Sequence, residues 1–199
     1  MATVTRRYVG EQMAATNRVM ERMLADGGML EALSAAADAC AEALRSGGKI
    51  LLAGNGGSAG DAQHMAGEFV SRFAFERPGL SAMALTTDTS ILTAIGNDYG
   101  FEMIFERQIQ ALGRGGDIFI AYSTSGASRN ILRALKEARG MGIRTIGMTG
   151  LGSAEMASLC DFVIHVPSDV TPRIQEGHLV LGHILCGAVE GSMFRGKSE

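Results

Sequence analysis

The 199-residue sequence has no tryptophan, only three prolines and three cysteines, and too few basic residues to balance its acids, leaving a net charge of −3. Each shortage excludes something. Without a basic field, nucleic acid and anionic membrane surfaces are disfavoured as partners. Cys40, Cys160 and Cys186 are odd in number and far apart. That suits reduced thiols of a cytoplasm, acting as small buried hydrophobes, better than a disulfide framework or a Cys-rich zinc site. No apolar run follows the arginines of "MATVTRRYVGEQMAATN", so no signal peptide is expected, and no segment reaches the length of a membrane span. Repeats, low-complexity tracts and proline-rich linkers are also missing.

What is present is ordinary for a soluble globular chain: 46% apolar and 20% charged residues, and enough length for one domain with its own core. Helical periodicity covers Val4 to Leu24 and Gly28 to Arg45, the second through Leu30, Leu33, Ala36 and Cys40. Ser46-Gly47-Gly48 stops that helix. Five short apolar runs follow, "KILLA", "LSAMAL", "DIFIAY", "IRTIGM" and "DFVIHV". Between them lie helix-like segments at Ala59 to Phe73, Ser90 to Leu112, Ser128 to Gly140 and Ala154 to Leu159, and Pro172 to Phe194 closes the chain as a long helix. Strands alternating with helices predict a three-layer α/β/α sandwich around a five-stranded parallel sheet. The two leading helices exceed what a sandwich needs and point to oligomer contacts. The twelve methionines are read as fillers of core and interface gaps.

The loop Gly54-Asn55-Gly56-Gly57-Ser58-Ala59, between "KILLA" and a helix, satisfies the loose dinucleotide pattern G-x-G-x-x-G/A. Three features oppose NAD. The second strand ends in Thr86-Thr87, with its acid delayed to Asp88, whereas a ribose-binding acid belongs at the strand's end. The helix after the loop carries His64 and Glu68, which at i,i+4 lie about 40° apart on one face and can enter one site. A second loop, "YSTSGASRN" from Tyr122 to Asn130, is better furnished for phosphate. It gathers the hydroxyls of Ser123, Thr124, Ser125 and Ser128 around Gly126, at a strand's C-terminal end and a helix's N-terminus. Taken alone, Ser128 is more simply an N-cap. On the last helix, Gln175 and His183 share a broad side about 80° wide. His178 falls on the other flank, read as solvent-facing, and His183 has apolar neighbours in Leu179, Ile184 and Cys186.

Together "GNGGSAGDAQHMAGEF", "GNDYGF", "STSGAS" and "RIQEGHLVLGH" resemble the phosphoheptose (sedoheptulose 7-phosphate) isomerases of the sugar isomerase, or SIS, domain group. The likeness runs from about Lys49 to the C-terminus. It implies one SIS domain over residues 1–199, with helices over 1–47 and a sugar-phosphate-binding core over 48–199. The implied reaction turns D-sedoheptulose 7-phosphate into D-glycero-D-manno-heptopyranose 7-phosphate, the first step toward nucleotide-activated heptoses of lipopolysaccharide, capsule or S-layer glycans. By the resemblance the protein is a cytoplasmic homotetramer with sites at subunit contacts. Zinc is the implied cofactor, on His64, Glu68, Gln175 and His183. The implied substrate contacts are Asn55, Gly56, Gly57, Glu68, Asn97, Asp98, Ser123, Thr124, Ser125, Ser128 and Gln175.

An aldose–ketose shift needs a base near carbon and an acid near oxygen. Glu68 is assigned as the carbon base and His183 as the proton donor and acceptor at oxygen, with the reverse open. Because glutamine is an unusual zinc ligand, the metal is expected to be exchangeable. Two positions depart from the family pattern. Ala127-Ser128-Arg129 stands where many relatives have Asn or Lys and then Pro, leaving Arg129 to face phosphate or solvent. Pro172 stands where some relatives carry Asp. Two rivals remain: an SIS-group paralogue that binds the bacterial replication initiator protein, which tends to have Thr at the position of Gly57, and an isomerase for another sugar phosphate.

Overall fold

The computed structural model describes residues 5–152 and 154–195. Helix α1 (Arg6–Ala25) starts at Thr5, whose Oγ1 accepts the N–H of Tyr8 at 3.2 Å. Helix α2 (Gly27–Arg45) starts at Asp26, whose Oδ1 accepts from Met29 at 3.0 Å. Short polar side chains satisfy otherwise unpartnered first-turn donors in this way. The chain leaves α2 through Gly47 at a φ of 81°, a value that suits glycine. The start of the expected first helix, Val4, lies outside the described residues.

The rest alternates: β1 (Ile50–Ala53), α3 (Gly57–Val70), β2 (Ala82–Ala84), α4 (Thr89–Asp98), a 3₁₀ turn (Phe101–Met103), α5 (Glu106–Leu112), β3 (Ile118–Ser123), α6 (Arg129–Gly140), β4 (Arg144–Thr149), α7 (Ala154–Ser158), β5 (Phe162–His165) and α8 (Thr171–Phe194). The five strands are all parallel, in the order β2-β1-β3-β4-β5. Successive strand residues face opposite sides, and the sheet divides two cores accordingly. Ile50, Leu52, Ile120, Met148 and Ile164 pack with α1, α2, α3 and α8. Leu51, Ala53, Phe119 and Ala121 pack with Ile104 and Phe105, just after the 3₁₀ turn, and with α5, α6 and α7. The three-layer parallel sandwich is therefore as the alternation predicts, and the two leading helices join one of its cores.

Two local expectations change. The segment from Ser90 to Leu112 is not one helix: α4 ends at Asp98, and Gly100, at a φ of 89°, turns the chain into the 3₁₀ turn before α5. His178 is not at the surface. It is fully buried, and its Nε2 lies 3.2 Å from the carbonyl of Thr149. The strand order reverses direction between β1 and β3, and in such sheets ligands bind at the C-terminal ends of the strands flanking that point. The glycine loop follows β1 and the serine loop follows β3, so the topology brings both to one crevice.

Candidate active site

The glycine loop is shaped by contact. A side chain on Gly54 would lie 2.6 Å from the backbone carbon of Ser58, and Gly56 takes a φ of 55°. Ser58 and Ala59 donate back to the carbonyls of Asn55 and Gly56 at 3.0 Å. Gly57 opens α3 with the side chain of Gln175 against it: a Cβ there would stand 2.8 Å from Gln175 Cδ. A hollow of about 180 Å³ opens beside the loop, with Asn55, Gly56, Thr86 and Phe105 among its walls.

Across the crevice, β3 runs out into Ser123, Thr124 and Ser125. Ser123 donates its hydroxyl to Ser128 Oγ at 3.0 Å, and Ser125 Oγ accepts the N–H of Ala127 at 3.2 Å. Gly126, at a φ of 65°, closes the turn with its N–H on Ser123 O at 3.0 Å. Ser128 occupies the N-cap position of α6 yet makes no side-chain cap bond, so its hydroxyl belongs to the loop. Helix α6 begins directly after this loop, and a helix N-terminus presents unpartnered N–H groups; that of Ile131 is already bonded to Asn130 Oδ1 at 3.0 Å. The loop is pinned from behind where Gly150 donates to the carbonyl of Thr124 at 3.2 Å.

The third part lies between α3 and α8. His64 Nε2 stands 3.4 Å from Glu68 Oε1 and 2.9 Å from His183 Nε2. One ligand atom from each of these residues falls within 4.8 Å of the others. The ring of Phe73 leans on His183 with centroids 5.6 Å apart. Two imidazoles and a carboxylate at this spacing can hold a cation.

The SIS domain family matches residues 12–150. A phosphoheptose isomerase of Burkholderia pseudomallei is 62% identical over 187 residues, covering 94% of this chain and 95% of that protein. Among solved structures, a phosphoheptose isomerase from Francisella tularensis superposes with a TM-score of 0.90 at 35% identity, over 96% of this chain and all of the other. One from Neisseria gonorrhoeae superposes at 0.87 and 40% identity, over 94% and 98%. The chain belongs to the phosphoheptose isomerase family of SIS-domain proteins.

Within that family frame, the residues singled out in the sequence fall into separate places. His64, Glu68 and His183 meet. Ser123, Thr124, Ser125 and Ser128 form one loop, and Asn55, Gly56 and Gly57 form the other. Gln175 joins the glycine loop at the start of α8. Asn97 and Asp98 sit exposed at the end of α4, bonded to each other at 2.8 Å. Arg129 pairs with Glu102 at 3.0 Å and is largely exposed. Asp88 serves α4 as N-cap, accepting from Ile91 at 2.9 Å.

Other residues of the site were not singled out in the sequence. Asn130, buried in the first turn of α6, exchanges two amide hydrogen bonds with Asn55, at 2.8 and 2.9 Å, and joins the two loops. Its place two residues beyond Ser128 was the available signal. Asp61, one turn before His64, has its carboxyl pushed up to about 6 by burial, with the His64 charge pulling the other way. Arg77 and Glu190 form a buried ion pair at 3.0 Å behind the His64–Glu68–His183 group. A lone acid in the apolar stretch "GAVEGSMF" was the signal for Glu190.

Proposed function

We propose that the protein is an aldose–ketose isomerase that converts D-sedoheptulose 7-phosphate to D-glycero-D-manno-heptopyranose 7-phosphate, working as a single SIS domain at the head of heptose-nucleotide synthesis for surface glycans. The observation that carries this reading is the convergence of a carboxylate, Glu68, and an imidazole, His183, beside an anion socket. The family of the relatives supports the reading, and the initiator-binding alternative gains nothing from them.

The phosphate enters the socket of Ser123, Thr124, Ser125 and Ser128, where hydroxyls and the N–H groups of α6 donate to its oxygens. Asn55, Gly56, Gly57 and Gln175 then lie along the sugar, with Asn97 and Asp98 as further contacts. Glu68 takes a proton from C1, and the freed electron pair forms the C1–C2 double bond. The C2 carbonyl oxygen takes a proton from His183, giving the enediol. In the second half O1 returns its proton to His183, the C1 aldehyde forms, and C2 takes the proton held by Glu68. Two groups acting on carbon and oxygen in this way supply about 10²–10⁴-fold each.

The residues fit zinc as the exchangeable cofactor. Bonds of about 2.0–2.2 Å in a tetrahedron set ligand atoms about 3.3–3.5 Å apart; the 3.4 Å from His64 to Glu68 falls in that range, and the 2.9 Å between the two imidazoles is about half an ångström short of it. His64, Glu68 and His183 would hold the ion, with Gln175 as the remaining donor. Bound there, zinc would polarise the sugar's oxygens. Glu68 has two oxygens; with Oε1 toward His64, the other is left for the carbon-bound proton.

Exposed apolar side chains on the outer helices, among them Tyr8, Met13, Val180 and Ile184, support assembly as a homotetramer. No helix among the described residues is long and apolar enough to cross a membrane, which suits action in the cytoplasm on a small phosphorylated sugar.

The test is turnover of sedoheptulose 7-phosphate, with ketose and aldose phosphates separated afterwards. Wild type, Glu68→Gln and His183→Ala are compared with chelator and with added zinc. Both variants should lose at least about 10²-fold in kcat. Absence of turnover by folded, zinc-supplied wild type refutes the reading.

A further inference from the structure

The Arg77–Glu190 pair is almost fully buried, with side-chain exposures of 2% and 1%. Isolated buried ion pairs are poor stabilisers, because desolvating both charges cancels most of their attraction. This pair is embedded in a larger set of bonds. Arg77 Nη2 donates to the carbonyl of Glu68 at 2.8 Å, and Nη1 to those of Phe69 at 2.6 Å and Ser71 and Pro78 at 3.1 Å. Helix α3 has no basic residue in its last turn, and of its final carbonyls those of Gly67 and Phe69 accept backbone N–H groups, from Ser71 at 2.9 Å and Leu80 at 3.0 Å, which leaves that of Glu68 to Arg77. The Arg77 guanidinium, reaching back from within the loop between α3 and β2, supplies both donors and the positive charge that a helix C-terminus favours.

Glu190 completes the other half. Its two oxygens accept the N–H groups of Phe73 and Ala74 at 2.9 and 2.8 Å, which fixes the segment that lays Phe73 on His183. Glu190 and His183 are seven positions apart on α8, about 20° from alignment on one face. The end of α3, the loop after it and the inner face of α8 thus meet at one guanidinium and one carboxylate.

We infer that Arg77 and Glu190 are positioning residues for the isomerisation, holding the Glu68 turn of α3 and the His183 face of α8 at their working separation. The inference rests on the proposed roles of Glu68 and His183. Both side chains are almost fully buried and so out of reach of a substrate in the crevice. The phosphate socket sits on α6, away from the pair, so loosening the pair should slow chemistry and leave binding nearly intact.

The experiment uses the full chain with Arg77→Met/Glu190→Leu, which removes both charges together, and the near-isosteric Glu190→Gln. Thermal melting, kcat, KM and a crystal structure are obtained for each. Misplacement of reacting groups by about 1 Å costs up to about 10²-fold; here about a tenfold fall in kcat is expected, with KM within about twofold of wild type. Folded double variant with at least about threefold lower kcat at that KM supports the inference; a smaller loss, or a loss appearing only as raised KM, overturns it. Should the double variant not fold, Glu190→Gln is read by the same limits. If wild type itself does not turn over the sugar, the function proposal fails, and the crystal structure still decides this one. The Glu68 turn and Phe73 displaced relative to His183 support it, and unchanged positions refute it.

Discussion

Replacing Gly57 with alanine adds one methyl group at the place where the glycine loop meets α8. That Cβ would stand 2.8 Å from Gln175 Cδ and 3.0 Å from its Oε1. Carbon contacts settle at about 3.5–4.0 Å, so the amide must retreat by about 1 Å. The retreating atoms are the end of a flexible side chain, so the fold gives way cheaply. Gly57 is also the first residue of α3, where alanine is the better helix former by up to about 1 kcal/mol. Stability should hold or rise, by up to about 2–4 °C in Tm for a domain of this size. Activity should move the other way. Gln175 is a proposed contact of both substrate and metal, and about 1 Å of misplacement is worth up to about 10²-fold. Thermal melting and kcat/KM on sedoheptulose 7-phosphate, measured on one preparation, separate the two effects. A folded Gly57→Ala enzyme with wild-type kcat/KM would show that Gln175 has no part in turnover. A collapse in Tm would instead show that the close approach is needed by the fold.

Other perturbations test other parts. Burial pushes the His178 imidazole down to about 4, against the opposing pull of its bond to Thr149. With an unfolded value near 6.5, the unfolded chain binds the proton more tightly. Stability is therefore complete above about pH 6.5 and drains away as the pH falls toward 4. Urea melts at about pH 7 and about pH 4.5 should differ by about 2 kcal/mol from this group alone. His178→Leu should flatten that part of the slope, and an unchanged slope would refute the assignment. Ser128→Ala removes a hydroxyl that accepts from Ser123 and does not cap α6. KM should rise about tenfold, the worth of one hydrogen bond to a charged group, with little change in Tm. A loss of about 1 kcal/mol in stability with KM unchanged would restore the plain cap.

Much of the architecture is legible in the chain because parallel strands are buried on both faces. "ILLA" and "IFIAYS" carry no alternation to blur them, and the glycines between mark the turns. The break near Asp98 was harder to see. Apolar spacing continues through Tyr99 and Phe101, and only the positive φ of Gly100 ends the helix. His178 illustrates a different limit. Helical geometry separates it from Gln175, but which flank is buried depends on α8 lying against the sheet and α2, a tertiary fact. The same holds for Asn130 and Arg77. Their partners are 75 and 113 positions away; closeness to Ser128 marks Asn130 as near the loop without showing what it bonds, and nothing local distinguishes Arg77 from a residue facing water. The meeting of His64, Glu68 and His183 was readable in part, since i,i+4 spacing on α3 poses a site and the resemblance supplies the third member.

The Asn55–Asn130 pair fastens the glycine loop, proposed to meet the sugar, to α6, proposed to meet the phosphate, with two amides and no net charge. A carboxylate at this joint would repel an arriving phosphate, and an arginine or lysine would compete with the serine loop for it. Neutral amides do neither, and they neither titrate nor weaken with ionic strength as exposed ion pairs do. The frame proposed to align the two ends of the substrate thus has no charge of its own to respond when a dianion replaces water in the crevice.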